Sequence, residues 1–162
     1  IMLSQIHLAE GQTDAAEHAL EQAMSLDFSV RDSPQYAIVR ASVMLNRTGG
    51  AEEALSVLEN AMSAPGVRVA SASGAGQKHP VTLAERCSIY LLLADAHTKL
   101  NHIPEATKCV QDAMNEFKGT PEEVRVNIAN CELSLKRGNV TSALNQLDSV
   151  PPSSPHYLRA KV

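Results

Sequence analysis

The feature that most constrains this chain is a fourfold recurrence of small and aliphatic residues. Gly11 is followed by Ala16, Leu20 and Ala23, and Gly49 by Ala54, Leu58 and Ala61. Asn101 is followed by Ala106, Val110 and Ala113, and Gly138 by Ala143, Leu147 and Val150. Each series has the spacing +5, +9, +12, which is one stripe of an α-helix. The Gly or Asn before each stripe marks a turn between two helices. The recurrent Ala marks a helix crossing too close for a larger side chain. One such hairpin cannot bury its apolar face alone, so units of this kind stack on their neighbours.

The helix starts agree. Ser33-Pro34, Thr120-Pro121 and Ser154-Pro155 each put a hydroxyl at the N-cap and Pro at the first helical position. Thr120-Pro121-Glu122-Glu123 reads as a full capping box, and Thr82 with Glu85 offers the same pairing. Capping explains these Ser-Pro and Thr-Pro pairs better than proline-directed phosphorylation does. The pattern predicts helices over 1–9, 14–26, 34–47, 51–63, 82–99, 103–117, 121–136 and 140–148, with another starting at 155. The unit resembles the tetratricopeptide repeat, a helix-turn-helix of about 34 residues. The fold class expected is therefore all-α: a tetratricopeptide-repeat solenoid, its hairpins stacked into a right-handed superhelix.

The units fall at 1–30, 31–65, 81–119 and 120–153, with a partial fifth over 154–162. Ala16, Ala54, Ala106 and Ala143 lie 38, 52 and 37 residues apart. The large excess falls on 66–80, a stretch rich in Gly and Ser, which reads as a flexible insert. Residues 67–78 are expected to make no core contact. The chain opens at Ile1 inside an apolar stretch and stops at Val162 early in a new helix. It therefore reads as an interior fragment of a longer array.

Composition excludes several functions. Twenty-two Ala favour helices that pack closely. A net charge of −4 has the wrong sign for neutralising phosphates, so nucleic acid is not an expected partner. Phe28, Tyr36, Tyr90, Phe117 and Tyr157 are the only aromatic residues, too few for a base-stacking platform. No apolar run approaches a membrane span, so no direct membrane insertion is expected. Cys87, Cys109 and Cys131 are odd in number and widely spaced, which suits reduced thiols and a cytoplasmic location.

No constellation carries chemistry. His97 and His102, with Asp95 and Glu105, straddle a helix-turn-helix corner and match no zinc spacing. The cysteines fall on helices as small core thiols. Gly74-Ala-Gly76 lacks the Lys-Ser/Thr of a phosphate loop. Glu52-Glu53 and Glu122-Glu123 lie in first turns of helices, where they suit the dipole. No catalytic residue, cofactor or metal is expected, and the chain is not read as an enzyme.

A repeat stack without chemistry is a binding scaffold. Its groove-facing positions are expected at Tyr36, Val39, Val43, Leu91, Asp95, Arg125, Ile128 and Glu132. They form a mixed surface suited to a partner's helix or extended segment. The clamp that some repeats use for a C-terminal carboxylate is absent, because Val39, Val43, Leu92, Arg125 and Ala129 include one basic residue.

Several stretches are similar to the large tetratricopeptide-repeat subunit of intraflagellar transport complex A. They are Arg31–Pro34, Glu52–Met62 with Pro65-Gly66, Leu91–His97, Glu116–Arg125 with Ile128–Asn130, and Tyr157 with Ala160. The Glu116–Arg125 stretch is the most specific, since a generic repeat does not require it. The 66–80 insert departs from the family in detail. The resemblance implies a non-catalytic protein-protein interaction scaffold in retrograde ciliary transport and ciliary entry of membrane proteins. It implies the WD-repeat subunits of the same complex as partners, and the cilium or flagellum and its base as location. The alternative is a generic repeat adaptor in another assembly, such as an anaphase-promoting or peroxisomal import system.

Overall fold

The computed structural model describes residues 1–63, 67 and 81–148. The expected partial fifth unit, the Ser154-Pro155 cap and the insert other than Val67 lie outside the described residues. The elements are α1 (Met2–Ala9), α2 (Thr13–Leu26), α3 (Pro34–Asn46), α4 (Ala51–Met62), α5 (Leu83–Lys99), α6 (Ile103–Glu116), α7 (Glu123–Lys136) and α8 (Val140–Asp148). A 3₁₀ turn, Phe28–Asp32, joins α2 to α3. No strand occurs among the described residues. Helices pair as α1/α2, α3/α4, α5/α6 and α7/α8, and each hairpin packs on the next through α2–α3, α4–α5 and α6–α7. First helices also meet one another, α1 with α3, α3 with α5 and α5 with α7. This is a helical-repeat solenoid.

The recurrent alanines explain the hairpins. Ala16, Ala54, Ala106 and Ala143 are all fully buried, so each crossing has no space beyond a methyl group. Leu20, Leu58 and Val110, the next residues of the stripe, are buried above them. At +12, Ala113 is buried whereas Ala23 and Ala61 are half-exposed.

Each within-hairpin turn contains a left-handed residue: Gly11, Gly49, Asn101 and Gly138. Asn101 takes φ 60°, which Asn tolerates better than most side chains. His102 N–H donates to the His97 carbonyl at 2.8 Å and Asn101 N–H to that of Thr98 at 3.1 Å, closing the end of α5 as a Schellman motif. The α3–α4 turn differs. A Cβ on Gly50 would lie 2.2 Å from the Met44 carbonyl oxygen, so only glycine fits there.

Two of the described caps form as expected. The Ser33 hydroxyl accepts from Tyr36 N–H at 3.2 Å. Thr82 and Glu85 make the reciprocal pair, Glu85 N–H to Thr82 Oγ1 at 3.2 Å and Thr82 N–H to Glu85 Oε2 at 2.8 Å. The expected box at Thr120 does not form. Thr120 Oγ1 instead donates to the Phe117 carbonyl at 2.6 Å. The Glu123 carboxylate accepts from Gly119 N–H at 2.9 Å, and α7 starts at Glu123. The box fails because α7 begins two residues later than it requires, with Glu122 rather than Thr120 at the N-cap.

Val67 corrects the expectation that residues 67–78 avoid the core. It is fully buried among Leu58, Ile89 and Leu93. Its carbonyl accepts from Arg86 Nε at 2.9 Å. Arg86 is itself buried, pairs with Glu116 and lies over the Phe117 ring at 5.8 Å. Phe117 is fully buried and meets Tyr90 edge-on, with centroids 5.7 Å apart. The stretch that begins at Glu116 thus ties the end of α6 to α5 and to the first leg of the insert.

Candidate protein-binding groove

First helices of a repeat stack lie side by side, so side chains on their outer faces share one surface. Along α3, α5 and α7 that surface is a groove of about 410 Å³. From α3 it is lined by Ile38 and Ser42, and from α5 by Ser88, Leu91, Leu92 and Asp95. From α7 come Arg125, Ile128, Ala129 and Glu132. A smaller hollow of about 200 Å³ continues it between α5 and α7, sharing Leu91, Asp95, Ala129 and Glu132.

Five of the eight expected positions therefore come together: Leu91, Asp95, Arg125, Ile128 and Glu132. Tyr36, Val39 and Val43 do not join them. All three are buried, as is Ile128, which touches the groove but packs mainly with Val124 and Leu147. Tyr36 and Val39 pack with Leu20 against the first hairpin. The Tyr36 hydroxyl accepts from Arg40 Nη1 at 2.7 Å. The groove face of α3 is instead Ile38 and Ser42. Periodicity could not separate these faces, because α3 is apolar at Ala37, Ile38, Val39, Ala41, Val43 and Leu45 and touches neighbours on several sides. Ser88 and Ile38 gave no sequence signal of their own. Asp95 was found by its place in the repeat.

Arg125 closes one end of the groove. Its Nη1 pairs with Glu122 Oε2 at 2.6 Å and its Nη2 donates to Ser88 Oγ at 3.0 Å. The guanidinium thus bridges α7 to α5. Asp95 and Glu132 stand at the other end, on opposite helices. Lys99 Nζ lies 3.8 Å from Asp95 Oδ2 and donates to the Leu45 carbonyl at 2.7 Å.

Burial pushes the Cys87 thiol up to about 11, which Arg125 partly opposes. Burial likewise raises Cys109 and Cys131. A raised thiol stays protonated at neutral pH and is a poor nucleophile. Among the described residues no three His, Cys, Asp or Glu side chains are placed to hold a metal. The His97 and His102 rings lie 5.9 Å apart, at the corner between α5 and α6. No helix among the described residues is long and apolar enough to cross a membrane.

A stack of helical hairpins with one mixed groove across its first helices defines a helical-repeat protein. Residues 28–162 match the family model described as Tetratricopeptide repeat protein 21 ARM repeat. The chain is 42% identical over 161 residues to mouse Tetratricopeptide repeat protein 21A and 37% identical over 163 to human Tetratricopeptide repeat protein 21B. The Caenorhabditis elegans Tetratricopeptide repeat protein 21 homolog is 25% identical over 152 residues. The mouse and human alignments cover 99% of this chain and 12% of the relative. The chain belongs to the Tetratricopeptide repeat protein 21 family.

Proposed function

We propose that this chain is a non-catalytic stretch of a protein-binding scaffold in intraflagellar transport complex A. In this reading it serves retrograde ciliary transport and ciliary entry of membrane proteins. Its location is the cytoplasm, the cilium or flagellum and its base. Its partners are other subunits of that complex, the WD-repeat subunits among them. The observation that carries the reading is the match of nearly the whole chain to one family. The stretches that resemble the complex-A subunit lie almost wholly inside the matched region, including Glu116–Arg125. The groove gives the reading a physical means: apolar side chains flanked by fixed charges bind protein segments rather than transform small molecules.

The test is capture of the tagged full-length protein from ciliated cells, with identification of what co-purifies. Recovery of WD-repeat subunits of complex A supports the reading. Recovery of a different assembly, with no complex-A subunit, overturns it.

A further inference from the structure

Two hydroxyl-proline pairs lie among the described residues, Ser33-Pro34 and Thr120-Pro121, and the fold uses them differently. Ser33 is the N-cap of α3, and Pro34 is that helix's first residue. The serine is 8% exposed. Its hydroxyl accepts from Tyr36 N–H at 3.2 Å and donates to the Val30 carbonyl at 2.7 Å. Capping accounts for both residues of this pair.

Thr120-Pro121 has no such duty. The N-cap of α7 is Glu122, and no side chain caps that helix. The Thr120 hydroxyl donates to the Phe117 carbonyl at 2.6 Å, within its own loop. That loop, 117–122, joins the third hairpin to the fourth. Lys118, Gly119 and Pro121 are exposed in it, and Thr120 is half-exposed. Gly119 stands in open space, since a Cβ there would meet no atom within 4 Å. An accessible Thr-Pro step without a capping role is what a proline-directed kinase reads.

A kinase holds its acceptor in an extended segment, so the residues around the acceptor must leave their folded positions. At Thr120 this opens the turn bonds from Thr120 N–H to the Phe117 carbonyl and from Glu123 N–H to the Thr120 carbonyl, both 3.1 Å, and the uncapped first turn of α7. At Ser33 it breaks a cap and unseats the buried Tyr36. Loop and uncapped-end openings are the less costly kind.

We propose that Thr120 is a phosphorylation site for a proline-directed protein kinase and that Ser33 is not. In the step, Thr120 Oγ1 bonds to the γ-phosphorus of a nucleoside triphosphate. The bond from that phosphorus to the bridging oxygen breaks, the nucleoside diphosphate leaves, and the hydroxyl proton passes to a base of the kinase. The ester oxygen has no hydrogen, so the bond to the Phe117 carbonyl is given up. A group of about two negative charges then stands where two hairpins join, before the positive end of α7. The site does not depend on which assembly the chain serves.

The test treats the purified full-length protein with an active mitogen-activated protein kinase and a nucleoside triphosphate. Site occupancy is followed over time by tandem mass spectrometry. Synthetic peptides spanning 27–40 and 114–127 are treated in parallel, because no fold protects either acceptor there. Both peptides should be modified. In the folded protein Thr120 should be modified faster than Ser33 by about tenfold or more beyond the ratio of the peptides, since a cap and a buried ring must be undone to reach Ser33. Tagged full-length protein from ciliated cells treated with a phosphatase inhibitor should carry phosphate on Thr120 and none on Ser33. A Thr120 peptide that is not modified overturns the proposal, and so does a folded protein whose Thr120 stays unmodified. Equal protein and peptide ratios overturn it as well, as does protein from the inhibited cells without phosphate on Thr120.

Discussion

Replacing Glu116 should cost more stability than replacing the arginine it pairs with, although the glutamate is the more exposed partner. The Arg86 side chain is 6% exposed and that of Glu116 34%. Glu116→Gln leaves a buried guanidinium with the neutral Val67 carbonyl and the face of Phe117. Breaking a buried pair from one side costs about 3–5 kcal/mol, and partial access of water to this one brings the figure to about 2–4 kcal/mol. Arg86→Met removes the cation altogether. Glu116 can then turn to water, the thioether fills the space over Phe117, and the remaining cost is one orphaned carbonyl, about 1–3 kcal/mol. The double variant should therefore be more stable than Glu116→Gln alone, because no uncompensated charge remains. Urea unfolding of the four proteins in parallel measures this, with amide exchange at Phe117–Val126 as the local reading. A double variant less stable than either single one would refute the reasoning, since the two residues would then act independently.

Ala106→Leu should lower stability by about 1–3 kcal/mol, because a fully buried methyl site at a helix crossing has no room for an isobutyl group; a thermal melt shows it. Asn101→Val should cost about 1–2 kcal/mol through its left-handed backbone, while Asn101→Gly should be near neutral, again by melting. Cys87 adds a pH dependence. Its folded thiol titrates near 11 against an ordinary 9.0, so its contribution is full below pH 9 and is lost as pH rises through 11. Urea midpoints at pH 8 and 10.5 should fall further for the unsubstituted chain than for Cys87→Ala. Val67→Ala should cost about 1–2 kcal/mol, whereas a polar surface position of the same loop type would cost almost nothing.

The hairpins were legible because a single requirement repeats four times. Close crossings demand Ala16, Ala54, Ala106 and Ala143, and tight turns demand Gly or Asn five residues earlier. The lining of the groove was legible on α5 and α7, where the place of Leu91, Asp95, Arg125, Ile128 and Glu132 in the repeat is enough to find it. On α3 it was not. That helix meets neighbours on several sides, so Tyr36 and Val39 carry the same apolar signal as Ile38. Capping signals share this limit: Thr120 has the right neighbours for a box, but α7 begins two residues further on, at Glu123. Val67 was hidden for a different reason. A valine in a Gly- and Ser-rich stretch has no helical period, and it is buried by residues far along the chain, Ile89 and Leu93, while Arg86 donates to its carbonyl. The specificity of Glu116–Arg125 acquires a physical basis only in three dimensions, through Glu116 on Arg86, Phe117 on Tyr90 and Arg125 on Ser88.

The central claim is that this chain works by holding a protein partner along α3, α5 and α7. Site-specific photo-crosslinking of the full-length protein in ciliated cells tests it most directly. A photoreactive residue at Ser42 or Leu92 lies in the groove, and one at Glu53 lies exposed on the second helix of its hairpin. The account predicts crosslinks to a complex-A subunit, or to a protein carried by that complex, from Ser42 and Leu92, with far fewer from Glu53. Crosslinks from Glu53 alone, with the groove positions silent, would contradict it.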